Sequence, residues 1–269
     1  MTTNARPDRT TIPLLLEQRL RAAEDIAEAV GRFAADQARR RGSLIVSTKG
    51  PQDFVSTADC EAERLARASI AARFPQDAIV GEEAGGQATN AYWIIDPIDG
   101  TTNFLSGLPL WAVSIAYVVD GAPVVGALAL PMLGELLSAA QGLGMRRNRE
   151  TMVAAQRQGP KLAGIGRNLP WLADGYRETE SRLEAAGYSL VSLGSCATEL
   201  AFVALGSLDG YVQGQVNTWD IAAGVIICRE ADIDVDVTPG AGSKVNVIAG
   251  TRAFRDFCAA PPSGRPLST

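Results

Sequence analysis

Asp96-Pro97-Ile98-Asp99-Gly100-Thr101-Thr102-Asn103-Phe104 follows directly on the apolar run Trp93-Ile94-Ile95. A strand that ends in Asp-Pro-x-Asp-Gly leaves two carboxylates at its terminus, where the backbone turns and side chains converge. Pro97 lacks a backbone donor and fixes its own φ, while Gly100 admits conformations closed to most residues. Two acids three positions apart on such a turn can share hard divalent cations such as Mg²⁺, which take oxygen ligands. The amides and hydroxyls of Gly100, Thr101 and Thr102 can then face an anion, above all if a helix begins there. Most Asp-Gly pairs are only solvated turns, so the weight of this stretch rests on what accompanies it.

The rest of the composition narrows the chemistry. The chain has 269 residues, 46% of them hydrophobic, enough to bury a large core as one domain or two joined halves. It has no histidine. A Ser-His-Asp triad, a phosphohistidine and a His-based zinc site are therefore excluded, and catalysis near neutral pH must run on carboxylates, hydroxyls, lysine, cysteine or metals. The net charge of −5 argues against nucleic acid as a partner, although bound cations can invert the charge of an acidic site. Cys60, Cys196, Cys228 and Cys258 lie far apart with no C-x-x-C, and read as free thiols, three of them buried. The apolar region from Leu108 to Met132 is broken by Asp120-Gly121-Ala122-Pro123, and so reads as two strands and a turn rather than a membrane span. Met1 to Thr11 is polar and lacks a signal-peptide core, which leads to an expected cytoplasmic location. No G-x-G-x-x-G or P-loop is present, and Asp232-Ile233-Asp234-Val235-Asp236 lacks the glycine and glutamate of a calcium loop.

Periodicity gives an α/β organisation. Leu14 to Arg41 predicts one long amphipathic helix, with Leu16, Leu20, Ile26, Val30 and Phe33 near helical spacing. Asp59 to Phe74 predicts a second. Tyr92 to Ile95 is a short strand that delivers the Asp96 loop, and Ala112 to Val119 with Val124 to Leu130 form a hairpin. Helices are expected over Ala197 to Gly206 and Asp220 to Asp232, and strands at 190–193, 210–212 and 245–249. A short helix and a Pro-rich tail end the chain. Arg146 to Lys161 is polar and contains Gly159-Pro160, which suggests a junction between halves 1–145 and 146–269.

The nine-residue string resembles the signature of the inositol monophosphatase family, and three further segments recur in that family's order. These are Lys49-Gly50-Pro51-Gln52-Asp53-Phe54-Val55-Ser56-Thr57-Ala58-Asp59, then Gly81-Glu82-Glu83, and later Trp219-Asp220-Ile221-Ala222-Ala223-Gly224. The likeness runs from about residue 14 to 250. It implies a layered α-β-α-β-α sandwich of the inositol monophosphatase and fructose-1,6-bisphosphatase type, a homodimer, sensitivity to lithium, and hydrolysis of phosphate monoesters with two or three Mg²⁺ ions. It further implies that Glu82, Asp96, Asp99, Asp220 and the carbonyl of Ile98 ligate metal, with Glu82 also orienting the attacking water. Thr101 and Asp59 would position and deprotonate that water. Substrate would meet Asp99, Gly100, Thr101, Thr102, Ser195, Cys196, Ala197, Gln213 and Asp220.

Several of these residues have simpler readings. Glu82 alone is an unremarkable loop acid, Asp59 and Asp220 suit helix starts, and Lys49 suits the surface. In inositol-hydrolysing relatives an acid occupies the position of Gln213; glutamine keeps the hydrogen bonding and loses the charge. Glu199 could supply that charge or cap its helix. The resulting expectation is a phosphatase for a small polyol or sugar phosphate. Histidinol phosphate, a bisphosphate (fructose 1,6-bisphosphate or 3′-phosphoadenosine 5′-phosphate) and a partner-binding relative with secondary activity stand as alternatives.

Overall fold

The Asp96 loop hangs from the end of a buried strand, and the rest of the chain is layered around it. The computed structural model describes residues 11–40, 42, 44–50, 53–152, 159–169, 171 and 175–259. The Pro-rich tail lies outside them.

The first half of the chain builds a seven-stranded sheet in sequence order. Its strands are β3 (Ala78–Gly81), β4 (Ala91–Asp99), β5 (Ala112–Val119), β6 (Ala122–Leu130), β7 (Glu135–Ala140), β8 (Gly144–Arg147) and β9 (Glu150–Thr151). Only β3 and β4 pair in parallel; the others are antiparallel neighbours. This sheet runs to Thr151, beyond the junction read at residue 145. Ahead of it come β1 (Val46–Gly50) and β2 (Asp53–Ser56), a separate two-stranded ribbon.

One face of the large sheet is covered by α1 (Thr11–Arg39) and α2 (Thr57–Arg73). Leu20, Ile26 and Val30 of α1 are fully buried against Trp93, Ile115 and Val125, as an apolar stripe at helical spacing requires. The opposite face is covered by α6 (Thr218–Glu230), with α5 (Cys196–Ala204) packed beside it. These two helices are apolar on nearly all sides because a second sheet lies beyond them.

That second sheet has five strands: β10 (Leu162–Ile165), β11 (Ser189–Val191), β12 (Gly210–Val216), β13 (Asp234–Pro239) and β14 (Val245–Gly250), in the order β11-β10-β12-β14-β13. Its outer side carries α4 (Tyr176–Ala185) and α7 (Arg252–Ala259). The result is the five-layer α-β-α-β-α sandwich that the resemblance implied. A short helix, α3 (Thr101–Ser106), extends from the end of β4. It rests on a small core in which Phe104 and Trp111 meet edge to face at 5.2 Å.

The cysteines differ from expectation. All four are free thiols, but only Cys196 and Cys228 are buried; Cys258 is half-buried and Cys60 exposed. Cys60 falls on the outer face of α2, and Cys258 on the last turn of a terminal helix, where burial is incomplete.

Candidate active site

The strand that carries the signature is irregular at the decisive point. Asp96 pairs with Ser114 and Asp99 with Ala112, so β4 advances three residues while β5 advances two. In a regular strand, residues three apart point to opposite faces; one extra residue returns them to the same side. The bulge therefore brings Asp96 and Asp99 together. The parallel pairing of β3 with β4 adds Glu82, whose amide donates to the Ile95 carbonyl at 3.2 Å, next to Asp96.

Three acids are held by the start of a helix. Asp99 Oδ2 accepts from Ser195 Oγ and from the Ala197 amide, both at 2.6 Å, across the N-terminus of α5. Asp220 is the third residue of α6 and closes a capping box, its Oδ2 accepting from the Asn217 amide at 2.9 Å. Asp59 does the same for α2, accepting from the Ser56 amide at 2.9 Å and the Ser56 hydroxyl at 2.6 Å. The simple reading of Asp59 and Asp220 as helix-start residues is thus part of the geometry. It leaves the second oxygen of Asp59 to accept from Thr101 Oγ1 at 3.2 Å, although the two residues are 42 apart in sequence. The same hydroxyl lies 3.1 Å from the Ile98 carbonyl.

Burial and mutual repulsion raise these acids. Asp96 is pushed well up by burial and by the neighbouring Glu82, Asp99 and Asp220, and it shares a hydrogen bond with Glu82. Burial takes Asp99 to about 6 against the opposing pull of Ser195 and Ala197. Asp220 rises to about 7 through burial and the charge of Asp99, with Asn217 and Lys244 opposing. Asp59 is raised by burial as well.

A hydrogen bond between two carboxyl groups requires a proton where a cation would otherwise sit. Four interacting acids and an adjacent carbonyl form a hard-oxygen donor set of the kind Mg²⁺ takes. In that respect the residues fit the metal. In the present arrangement, among the described residues, no three His, Cys, Asp or Glu side chains converge on one point. Oxygens of Asp96, Asp99 and Asp220 are instead engaged by Ile98, Ser195, Ala197 and Asn217.

Two cavities meet here. One, of about 540 Å³, is lined by Glu82, Asp99, Ser195, Cys196, Gln213 and Asp220 together with Arg167 and Lys244. The other, of about 590 Å³, is lined by Gly100, Thr101 and Thr102. Glu82, Arg167 and Gly194 belong to both walls. Gly100, in the left-handed region at φ 94°, lies so close to Ser195 that a Cβ would stand 3.0 Å from the serine Cβ. Asp96 and Ile98 sit behind these walls in the buried interior, Ile98 packing against Phe104 and Trp111. Ala197 is buried and contributes its amide. The backbone of Lys49 lies on β1, and its side chain is outside the described residues.

The profile of the inositol monophosphatase family matches residues 15–259. This chain belongs to that family. An inositol-1-monophosphatase of Mesorhizobium japonicum is 40% identical over 196 residues, covering 70% of this chain and 74% of the relative. The Nus factor SuhB of Escherichia coli is 34% identical over 241 residues, covering 81% and 90%. Among solved structures, the Thermotoga maritima IMPase superposes with a TM-score of 0.77 at 30% identity, covering 90% of this chain and 95% of that one. Family membership supports phosphatase activity and a small phosphorylated substrate. No helix among the described residues is long and apolar enough to cross a membrane.

Two residues to which sequence reasoning gave no role, Glu63 and Asn103, brace these acids. Glu63, buried on α2, accepts from the Glu83 amide at 2.7 Å and the Ala84 amide at 3.1 Å, fixing the turn that presents Glu82. Asn103 donates to the carbonyls of Leu110 and Leu193, both at 2.6 Å, and ties the signature to the loop before α5. Asn103 was visible as part of the signature; Glu63 carried no local signal. Glu199 does not cap α5 but is buried in the cavity wall. Its Oε1 accepts from the Leu193 amide at 2.5 Å, and burial lifts its pKa to about 8.

Proposed function

We propose that this protein is a Mg²⁺-dependent phosphatase that hydrolyses a small polyol or sugar phosphate monoester by direct attack of water, without a phosphoenzyme. The observation that carries this reading is the contact of Thr101 Oγ1 with Asp59 Oδ1 beside the mutually repelling acids Glu82, Asp96, Asp99 and Asp220. Glu82, Asp96, Asp99, Asp220 and the Ile98 carbonyl would hold two or three Mg²⁺ ions, whose Lewis acidity activates water and offsets the charge of the phosphate. Asp59, anchored to Ser56 through one oxygen, keeps the other on the Thr101 hydroxyl and so supplies an acceptor for the proton that the water gives up. Glu82 would orient the same water from the opposite wall. The start of α3, with Gly100 and Thr102, would offer donors to the phosphate oxygens, while Ser195 and the start of α5, given to Asp99, would border the substrate. Cys196, Ala197, Gln213 and Asp220 would line the remainder of the substrate.

The test is phosphate release, with and without Mg²⁺, from inositol 1-phosphate, histidinol phosphate, fructose 1,6-bisphosphate, 3′-phosphoadenosine 5′-phosphate and glycerol 2-phosphate. Release that depends on Mg²⁺ and drops by several orders of magnitude in a folded Asp99→Asn variant is expected. Normal turnover by that variant would sink the reading. A second reading, attachment to a partner protein, draws on the likeness to the E. coli Nus factor SuhB. It gains ground if every ester resists hydrolysis with metal bound. The proposal also makes the protein a lithium-sensitive cytoplasmic homodimer, which light scattering and millimolar Li⁺ inhibition check directly.

A further inference from the structure

The turn between β13 and β14 reaches the cavity over Asp220 but has no task in the hydrolytic chemistry. It contains Gly240-Ala241-Gly242-Ser243-Lys244, a run with the residue types of a P-loop but not its spacing. Two side chains tie it to β12. Gln215 stands in the left-handed region at φ 60°, where the pairing of β12 with β14 shifts register, and its Oε1 accepts from the Ala241 amide at 2.9 Å. Asn246 Oδ1 accepts from the Gln215 amide at 3.1 Å, and its Nδ2 donates to the Pro239 carbonyl at 3.0 Å. Within the turn, the Gly240 amide donates to the Lys244 carbonyl at 2.9 Å and the Lys244 amide to the Ala241 carbonyl at 3.1 Å. The Lys244 side chain has no part in these bonds and enters the cavity wall instead.

There Lys244 Nζ donates to Asn217 Oδ1 at 2.5 Å. Asn217 is the residue before α6, and its backbone amide already donates to Asp220 Oδ2. Its side-chain Nδ2 lies 3.4 Å from Asp220 Oδ1 and 3.3 Å from Oδ2, and so spans the carboxylate. The orientation of this side-chain amide is dictated from both ends, because an ammonium only donates and an ionised carboxylate only accepts. Reversed, the amide would set its N–H₂ against the ammonium and its oxygen against the carboxylate, with neither half-buried contact satisfied. Without the lysine, one of the two constraints is gone and the amide can turn from Asp220 toward water.

We propose that Lys244 is a positioning residue for the cation end of the site, acting through Asn217 to hold the Asp220 carboxylate in place. The proposal rests on the Mg²⁺-dependent reading above and deepens it. The sign of the effect separates support from charge. As a bare charge near four acids, the ammonium opposes a cation, and its removal tightens Mg²⁺ binding. As the support of a metal ligand, its removal loosens Mg²⁺ binding.

Calorimetric titration of the full chain with Mg²⁺, without substrate, tests it. Lys244→Met should raise the Mg²⁺ dissociation constant about tenfold, as loss of a group that supports a metal ligand does. Lys244→Arg keeps the donor and should bind Mg²⁺ as the wild type does. Asn217→Ser keeps a capping side chain and removes the amide, and should loosen Mg²⁺ by a like factor. The double variant, Lys244→Met with Asn217→Ser, should be no worse than either single one, because both break the same chain of bonds. Urea unfolding in a chelator should be unmoved by Lys244→Met, since other bonds hold the turn. Unchanged or tighter Mg²⁺ binding by Lys244→Met overturns the proposal, as does a double variant whose losses multiply. Stability in chelator that falls as far as the affinity does also overturns it, for the lysine would then only hold the hairpin. None of these readouts needs turnover, so a protein that binds Mg²⁺ and hydrolyses no ester refutes the phosphatase reading alone. A wild type that binds no Mg²⁺ refutes both.

Discussion

Glu63 offers the sharpest link between folding and the metal end of the site. Its carboxylate is 1% exposed, accepts from the Glu83 and Ala84 amides, and is paired with Arg67 Nε at 2.6 Å. Truncation by Glu63→Ala removes two hydrogen bonds to a charged acceptor, each worth about 1.5–3 kcal/mol. Ala84 is exposed, so water takes over one of them, and the one-quarter-exposed Arg67 side chain can hydrate once its partner is gone. What remains is the loss at the half-buried Glu83 amide plus a small cavity, together about 2–3 kcal/mol of stability. The same change releases the turn that carries Glu82, so the Mg²⁺ concentration for half-maximal activity should rise about tenfold or more, the factor expected when a metal ligand loses its support. Glu63→Gln, which keeps the volume and one acceptor, should lie between. Urea unfolding at fixed Mg²⁺ and a Mg²⁺ titration of phosphate release read the two effects. An alanine variant within about 0.5 kcal/mol of wild type and with an unchanged Mg²⁺ dependence would refute the role given to Glu63.

Thr101→Ala and Asp59→Asn should each lower kcat by about 10²–10⁴, and the double variant should lose little more than either alone because the pair acts as a unit; multiplicative losses would separate them. Glu199 sets a pH dependence. Burial raises its pKa from 4.5 to about 8, so the folded chain keeps a proton that the unfolded chain has released. Its contribution to stability is full below pH 4.5 and falls as pH rises to about 8. Denaturant unfolding across that range in a chelator should show a decline that Glu199→Gln flattens, and a parallel decline in the variant would be the contrary result. Chelation should also weaken binding of inorganic phosphate by about 100-fold or more, since four carboxylates without cations repel it; equal calorimetric affinity with and without Mg²⁺ would contradict the metal-bridged site.

Much of this was legible from local pattern. The long amphipathic α1, the β5–β6 hairpin and the helices at 57–73, 196–204 and 218–230 all carry strong periodicity or start signals, and the signature loop was enough to identify the family. Other elements lacked such signals. β7 is Glu-Leu-Leu-Ser-Ala-Ala, without β-branched residues, and is a strand only because β6 and β8 flank it. β10 is four residues long and becomes a strand by parallel pairing with β11 and β12, which are distant in sequence. The β4 bulge is a property of register with β5, which no spacing within β4 reveals. Buried Glu24, accepting from Ser138 Oγ at 2.6 Å, and buried Glu63 read as ordinary helix-surface acids until the strands that cover them are in place.

Clustered carboxylates would ordinarily unfold the edge that holds them, and the layer arrangement explains why they do not. α2, α3, α5 and α6 all begin at this end of the molecule, each with backbone amides that its own helix cannot use. Asp59, Asp99 and Asp220 spend one oxygen apiece on α2, α5 and α6, so three of these four helix starts are answered by an acid and those three acids by a partial positive charge. Those bonds do not discharge the cluster. Asp96 and Glu82 still share a hydrogen bond, and Asp99 and Asp220 titrate near 6 and 7. The helices thus hold Asp59, Asp99 and Asp220 in place while leaving a surplus of negative charge that only protons or cations can relieve. A site so built should gain stability from Mg²⁺ without moving its helices, because the geometry is already set by caps the metal does not replace. Unfolding should then shift with Mg²⁺ as binding linkage requires, with no change in the dependence on denaturant concentration. A change in that dependence on adding Mg²⁺ would mean that the metal orders the helix starts, and that the caps alone do not hold the acids.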